Sequence, residues 1–100
     1  MKKITKAEIS QFLKEQVSLE CSIPIGSVRT DVAFVESGMD SLKAVYIMDR
    51  LEKFIGAELS PLYFWDNPTI ASLAGFLAEE ILQKPANADP WRRIFRSWLP

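Results

Sequence analysis

Apolar residues recur along this chain at the three- and four-residue spacing of an α-helix, and this pattern constrains the fold more than any other feature. No alternating apolar and polar run is long enough to predict a sheet, and no repeat is present. The sequence therefore predicts an all-α fold. We expect a small four-helix bundle, with three long helices and one short helix, and a candidate extra C-terminal amphipathic helix.

Capping signals mark the first two helices. Thr5 and Glu8 form a capping box, so helix I is predicted over about residues 6–19. Asp40 is a good N-cap for helix II, and Gly56 is a natural residue to follow the end of that helix.

The remaining segments are a long loop and two further helices. Residues 20–39 are predicted to be a loop whose apolar side chains close the open side of the bundle: Ile23, Ile25, Val28, Val32, Phe34 and Val35. Ser60 as cap and Pro61 at the first helical position open a short helix III. Thr69 caps helix IV, whose apolar stripe comprises Ile70, Leu73, Ala74, Leu77 and Ile81.

Helix II carries apolar side chains on two faces. One arc of about 120° is expected to face the core, and it comprises Ala44, Ile47, Met48, Leu51, Phe54 and Ile55. Leu42, Val45 and Tyr46 lie nearly opposite, and Met39 precedes the helix. Helix II is therefore either central or covered by the loop, or it presents these four residues as an exposed patch. We favour a patch that contacts a partner.

Several functional classes are excluded by composition. The chain of 100 residues has no histidine, which rules out Ser-His-Asp and Cys-His nucleophiles and metal sites with histidine ligands. It has one cysteine, Cys21, which rules out an internal disulfide and metal sites built on several thiolates. We interpret Cys21 as a small hydrophobic loop residue in a protein of the reducing cytoplasm. A net charge of −1 predicts no general affinity for nucleic acid. Neither a signal peptide nor a membrane-spanning stretch is evident.

Ser41 stands at the predicted start of helix II, directly after Asp40. It cannot act as a hydrolase nucleophile in the usual way, because no imidazole is available to accept its proton. Its position suits an attached phosphate ester, since a helix N-terminus offers unpaired N–H groups and the positive end of a dipole. A plain first-turn serine that satisfies one of those N–H groups fits the same four residues.

The segment from Gly38 to Val45, GMDSLKAV, resembles the attachment motif of acyl carrier proteins, particularly those of polyketide synthases. Phe34 upstream, Gly56 downstream and the run FWDNPTI at 64–70 resemble the same family in order and spacing. The resemblance covers about residues 5–83. We therefore divide the chain into an acyl carrier domain, 1–84, and a short linker with a tail helix, 85–100.

The resemblance implies that a phosphopantetheinyl transferase attaches 4'-phosphopantetheine from coenzyme A to Ser41, beside the capping Asp40. It also implies a non-catalytic carrier that holds acyl or polyketide intermediates as thioesters for a polyketide or fatty-acid-like pathway. The implied partners are an acyl-loading enzyme (an acyl-AMP ligase or an acyltransferase) and ketosynthases or tailoring enzymes. We expect a monomer, with no nucleic acid or membrane partner. The alternative is an unmodified helical module that binds a protein or a membrane.

Charges on helix II are balanced, unlike the strongly acidic helix of many fatty-acid carriers. Partner recognition is therefore expected to rest on the apolar residues Met39, Leu42, Val45 and Tyr46.

The C-terminal tail is basic and amphipathic. Asp89 and Pro90 open a predicted final helix. Its apolar face comprises Trp91, Ile94, Phe95, Trp98 and Leu99, and its basic residues are Arg92, Arg93 and Arg96. Three interpretations stay open: the tail folds back onto the bundle, binds a synthase partner, or contacts a membrane surface.

Overall fold

A computed structural model describes residues 4–81, and they form a bundle of four α-helices joined by loops. The helices are α1 (Lys6–Cys21), α2 (Ser41–Ile55), α3 (Leu62–Asp66) and α4 (Ile70–Phe76). A π-helical turn, Leu77–Ile81, continues α4. The predicted all-α bundle, with one short helix, is confirmed. The predicted linker and tail, with Trp91, Arg92, Arg93, Ile94, Phe95, Arg96, Trp98 and Leu99, lie outside the described residues.

The caps predicted for α1 and α4 are present. Thr5 Oγ1 accepts a hydrogen bond from the Glu8 backbone N–H, and the Glu8 carboxylate accepts one from the Thr5 N–H, both at 3.2 Å. Thr69 forms the equivalent reciprocal pair with Ser72 at the start of α4. α1 runs two residues farther than predicted, and Ser22 after its end takes a left-handed conformation with φ of 56°.

α3 begins one residue later than the sequence suggests. Pro61 occupies the cap position rather than the first helical position. Ser60 Oγ still accepts a hydrogen bond from the Leu62 N–H, at 3.2 Å. The prediction of Ser60 as cap and Pro61 as first helical residue is therefore wrong by one position, although the Ser60 hydroxyl still bonds the first N–H of the helix.

The core face of α2 is largely the predicted one. Its buried residues are Ala44, Ile47, Met48 and Leu51. Ile55 is half-buried. Phe54, at 37% exposure, lies at the edge of the core, where its ring stacks on Phe12 of α1 with centroids 4.4 Å apart. The prediction that Phe54 faces the core was therefore wrong. Its side chain covers the edge of the contact between α1 and α2.

α1 and α2 are also joined by polar contacts. Arg50 donates hydrogen bonds to Glu20 at 2.7 Å and to Gln16 at 2.9 Å. Because Arg50 meets the end of α1 while Phe54 meets the earlier Phe12, the two helices run antiparallel.

The long loop between α1 and α2 closes part of the bundle. Val28, Phe34 and Met39 are buried, whereas Ile25 and Val35 are exposed. The predicted closure is thus confirmed for Val28 and Phe34 and wrong for Ile25 and Val35. The two exposed residues belong to short 3₁₀ turns, Ile25–Ser27 and Phe34–Ser37, which turn those side chains outward.

The second half of this loop is tied to the start of α4. The Phe34 N–H donates to the Pro68 carbonyl at 2.8 Å, and the Ala71 N–H donates to the Thr30 carbonyl at 3.0 Å. An isolated antiparallel bridge joins Ala33 and Thr69 between these bonds. The loop that leads to Ser41 is therefore held by backbone contacts as well as by buried side chains.

Candidate functional site

The chain reaches α2 through a tight turn at Gly38. Gly38 has φ of 93°, a left-handed conformation that favours glycine, and its N–H donates to the carbonyls of Phe34 and Val35. The next N–H, that of Met39, donates to the Phe34 carbonyl at 3.2 Å. These bonds reverse the chain and direct residues 40 and 41 to the head of α2.

Asp40 and Lys43 close the head of α2. Asp40 has extended backbone, with φ of −135°, and its Oδ1 accepts a hydrogen bond from the Lys43 N–H at 2.9 Å. The Lys43 ammonium reaches back to the Gly38 carbonyl at 3.1 Å and lies 3.8 Å from Asp40 Oδ2. The predicted cap is confirmed, whereas no local sequence signal pointed to the returning lysine.

Ser41 is the first residue of α2, and it is exposed. Within residues 4–81, no hydrogen bond from its hydroxyl to another side chain or to the backbone is found. Asp40, rather than Ser41, satisfies the first-turn N–H, so the plain capping interpretation of Ser41 does not hold. An exposed hydroxyl beside the positive end of a 15-residue helix fits an attached phosphate ester.

The second apolar face of α2 is exposed. Leu42, Val45 and Tyr46 are 62%, 57% and 48% exposed, so α2 is not enclosed on that side. We call these three residues the α2 patch. Met39, predicted to join them, is only 7% exposed, because its side chain packs in the hydrophobic core. Met39 is therefore removed from the surface that a partner could contact.

Two further exposed apolar residues lie on α3. Leu62 and Trp65 are exposed on the outer side of a helix whose buried residues are Tyr63 and Phe64. Neither residue was predicted to be part of a surface patch, although the helical phase of a buried pair at 63 and 64 leaves positions 62 and 65 outside.

Cys21 is the last residue of α1 rather than a loop residue as predicted, because the helix runs two residues farther, and it is half-buried. Burial raises the pKa of its thiol, the charge of Lys43 opposes that rise, and the charges of Asp40 and Glu20 add to it. A raised pKa agrees with the predicted role as a small hydrophobic residue rather than a reactive thiolate.

Metal-binding and membrane-spanning features are both absent from residues 4–81. No cluster of three or more histidine, cysteine, aspartate or glutamate side chains could hold a metal ion in that part of the chain. None of the helices described there has the length and apolar character needed to cross a membrane.

Comparison with known families identifies the kind of domain. The sequence model described as "Phosphopantetheine attachment site" matches residues 11–77, which include the Gly38 turn and Ser41. The chain belongs to this family. Phosphopantetheine is thus the prosthetic group of the domain, and carrier domains of this family are generally non-catalytic.

Relatives of this phosphopantetheine attachment domain include large polyketide synthases. The chain is 33% identical over 84 residues to one subunit of the phenolphthiocerol/phthiocerol polyketide synthase of Mycobacterium tuberculosis, a match that covers 84% of this chain and 4% of that protein. It is 35% identical over 75 residues to 5-methyl-1-naphthoate synthase of Streptomyces sahachiroi, covering 75% of this chain and 4% of that protein. The chain thus spans a small part of these relatives.

Solved structures of carrier proteins share the fold. A free-standing peptidyl carrier protein from Acinetobacter baumannii is 32% identical with a TM-score of 0.72, covering 77% of this chain and 96% of that one. An acyl carrier protein from Anabaena sp. with a variant phosphopantetheinylation-site sequence is 32% identical with a TM-score of 0.69, covering 79% and 93%.

Proposed function

We propose that the chain is an acyl carrier that bears 4'-phosphopantetheine on Ser41 and delivers acyl or polyketide intermediates to partner enzymes of a polyketide or fatty-acid-like pathway. One observation carries the proposal. The exposed hydroxyl of Ser41 stands at the head of α2, within the segment that matches the phosphopantetheine attachment family. The likeness to polyketide synthases supports the pathway.

Each residue at the turn has a distinct task in this proposal. Ser41 Oγ forms the new bond to phosphorus, the pyrophosphate bond of coenzyme A breaks, and adenosine 3',5'-bisphosphate leaves. The hydroxyl proton passes to a base of the transferase. Asp40 holds the first turn of α2 through the Lys43 N–H. When bound, the prosthetic group supplies a terminal thiol that carries acyl groups as thioesters. The chain contributes a rigid attachment point and no catalysis, and tethering raises the effective concentration of the cargo at each enzyme.

The partners proposed are a phosphopantetheinyl transferase, an acyl-AMP ligase or acyltransferase for loading, and ketosynthases or tailoring enzymes. We propose that they contact the α2 patch of Leu42, Val45 and Tyr46. Lys53 of α2 pairs with Asp49 of the same helix at 3.2 Å, and Arg50 pairs with Glu20 of α1 at 2.7 Å. Because these charges already have partners of opposite sign, apolar contact carries recognition in this proposal. A monomeric state and a cytoplasmic location stay predictions.

Mass spectrometry tests the attachment. We expect coenzyme A and a broad-range phosphopantetheinyl transferase to add one phosphopantetheine group to the wild type and none to Ser41→Ala. The matched control is Ser27→Ala, which removes another exposed serine and should be modified as the wild type is. A wild type that stays unmodified while a known carrier is converted contradicts the proposal and favours an unmodified interaction module.

A second measurement tests the cargo. The likeness to a peptidyl carrier protein makes an aminoacyl cargo the specific alternative. We expect the intact protein from its native host to carry a mass addition equal to the phosphopantetheine group (the arm) plus an acyl or ketide group. An addition equal to the arm plus an amino acid would contradict the acyl assignment while leaving Ser41 as the attachment point.

A further inference from the structure

Lys43 follows Ser41 by two residues, yet its ammonium lies at the turn that precedes the serine. It donates to the Gly38 carbonyl at 3.1 Å and lies 3.8 Å from Asp40 Oδ2, and its side chain is 34% exposed. Lys53 makes a similar pair with Asp49 farther along α2, but its side chain is 78% exposed. Lys43 therefore belongs to the structure of the turn, whereas Lys53 lies in solvent.

The contacts of Lys43 have two effects at the head of α2. The first is conformational, because its hydrogen bond to the Gly38 carbonyl helps to hold the turn through which the chain enters the helix. The second is electrostatic. Asp40 carries a carboxylate directly before Ser41, and a phosphodiester on Ser41 places a second negative charge beside it. Two negative charges on adjacent residues repel each other, and a nearby ammonium offsets the repulsion.

We infer that Lys43 is a positioning residue for the modified serine: its ammonium secures the Gly38–Asp40 turn and offsets the Asp40 carboxylate, so that Ser41 can carry a phosphodiester at little cost to the fold. Residues two apart on a helix do not face each other, so Lys43 acts through Gly38 and Asp40 rather than by direct contact with Ser41. The inference rests on the proposed attachment at Ser41.

A thermodynamic cycle isolates this role. Melting temperatures are measured for the apo and holo forms of the wild type and of Lys43→Met, which removes the charge and keeps an unbranched side chain. The change from apo to holo is then compared between the two proteins, so that any effect of the substitution on the fold alone cancels. Lys53→Met is the matched control on the same helix, and Lys43→Arg tests whether a retained positive charge rescues the variant.

We expect attachment to lower the melting temperature of Lys43→Met by about 3 °C more than that of the wild type, given typical energies of partly exposed ion pairs. Lys53→Met should behave as the wild type, and Lys43→Arg should recover most of the difference. In about 1 M NaCl this additional decrease in melting temperature should fall below about 1 °C. The Debye length is then about 3 Å, so the interaction between the charges is largely screened. A second measurement is the ³¹P chemical shift of the holo form. Relative to the wild type, it should change in Lys43→Met and stay the same in Lys53→Met.

Equal apo-to-holo changes in the wild type and Lys43→Met would overturn the inference, as would an equal effect of Lys53→Met or an effect that high salt leaves intact. If Lys43→Met does not fold, the same cycle is run with Lys43→Gln, with the same expected and contradicting results. A wild type that accepts no arm overturns the attachment proposal itself. Normal attachment with equal changes overturns only the role of Lys43.

Discussion

The rings of Phe34 and Phe64 stack with centroids 4.3 Å apart and planes inclined by 22°. Phe34 lies in the loop before Ser41 and Phe64 in α3, and both side chains are buried. The backbone of Phe34 also accepts the Met39 N–H. The turn that presents Ser41 is therefore anchored through one aromatic side chain.

Phe34→Ala is expected to lower the free energy of unfolding by about 3 kcal/mol, because it removes a buried ring and leaves a cavity against Phe64. Urea denaturation measures the loss. The control is Val35→Ala at the next position, where the side chain is 63% exposed and the change should stay within about 0.5 kcal/mol. Similar losses for the two variants would contradict an anchoring role for Phe34.

Asp40→Ala is expected to lower the free energy of unfolding by about 1 kcal/mol, since the Lys43 N–H loses its capping oxygen. Asp40→Asn keeps an oxygen at that place and should cost less than about 0.5 kcal/mol. Thermal melting of the apo proteins distinguishes the two variants. An equal loss for both would show that the negative charge, rather than the cap, stabilises α2.

Leu42→Glu is expected to slow arm attachment about tenfold while leaving stability within about 0.5 kcal/mol, because Leu42 is 62% exposed beside Ser41. Attachment rates are followed by mass spectrometry. Leu19→Glu makes the same change at a leucine that is 67% exposed on α1 and should leave the rate unchanged. A marked loss of thermal stability in Leu42→Glu, or equal rates for the two variants, would count against the α2 patch.

Cys21 is expected to react slowly with iodoacetamide at pH 7, because burial raises the pKa of its thiol and keeps it protonated. Folding favours the neutral thiol, so its contribution to stability is complete below the ordinary pKa of 9.0 and is lost as pH rises through the higher folded value. Alkylation of the folded and urea-unfolded protein from pH 7 to 10 measures the difference. Faster alkylation of the folded form would contradict this prediction.

Truncation after Ala88 is expected to leave arm attachment unchanged, because the family match ends at residue 77 and the tail follows it. The truncated and full chains are compared by attachment rate and thermal melting. The loss of cooperative melting in the truncated chain would show instead that the tail completes the core.

The parts of this fold that the sequence predicted correctly are those set by local chemistry. α2 begins after Asp40 and ends before Gly56, as predicted, because a capping carboxylate and a glycine with φ of 78° each act within a few residues. The exposed serine followed from the same local argument. The attachment role of that position came from the resemblance of the surrounding motif to a known family.

The predictions that failed depend on contacts between distant segments. Met39 lies outside α2, so helical phase could not place it, and its burial depends on packing in a core built from several segments of the chain. Phe54 fits the apolar arc, but its exposure depends on how Phe12 approaches from α1. Lys43 was missed because the turn at Gly38, to which its ammonium returns, cannot be read from spacing alone.

Two sets of hydrogen bonds hold the α1–α2 loop, and they divide it into parts that tolerate changes in length differently. Near its start, Ser18 Oγ donates to the Ile23 carbonyl at 2.6 Å, and farther on Thr30 and Phe34 are bonded to the beginning of α4. Gly26 lies between these two sets of hydrogen bonds, and a Cβ added to it would meet open space, with nothing within 4 Å. Extra residues inserted there would bulge outward and leave the serine in place, whereas a single residue added after Phe34 would displace it.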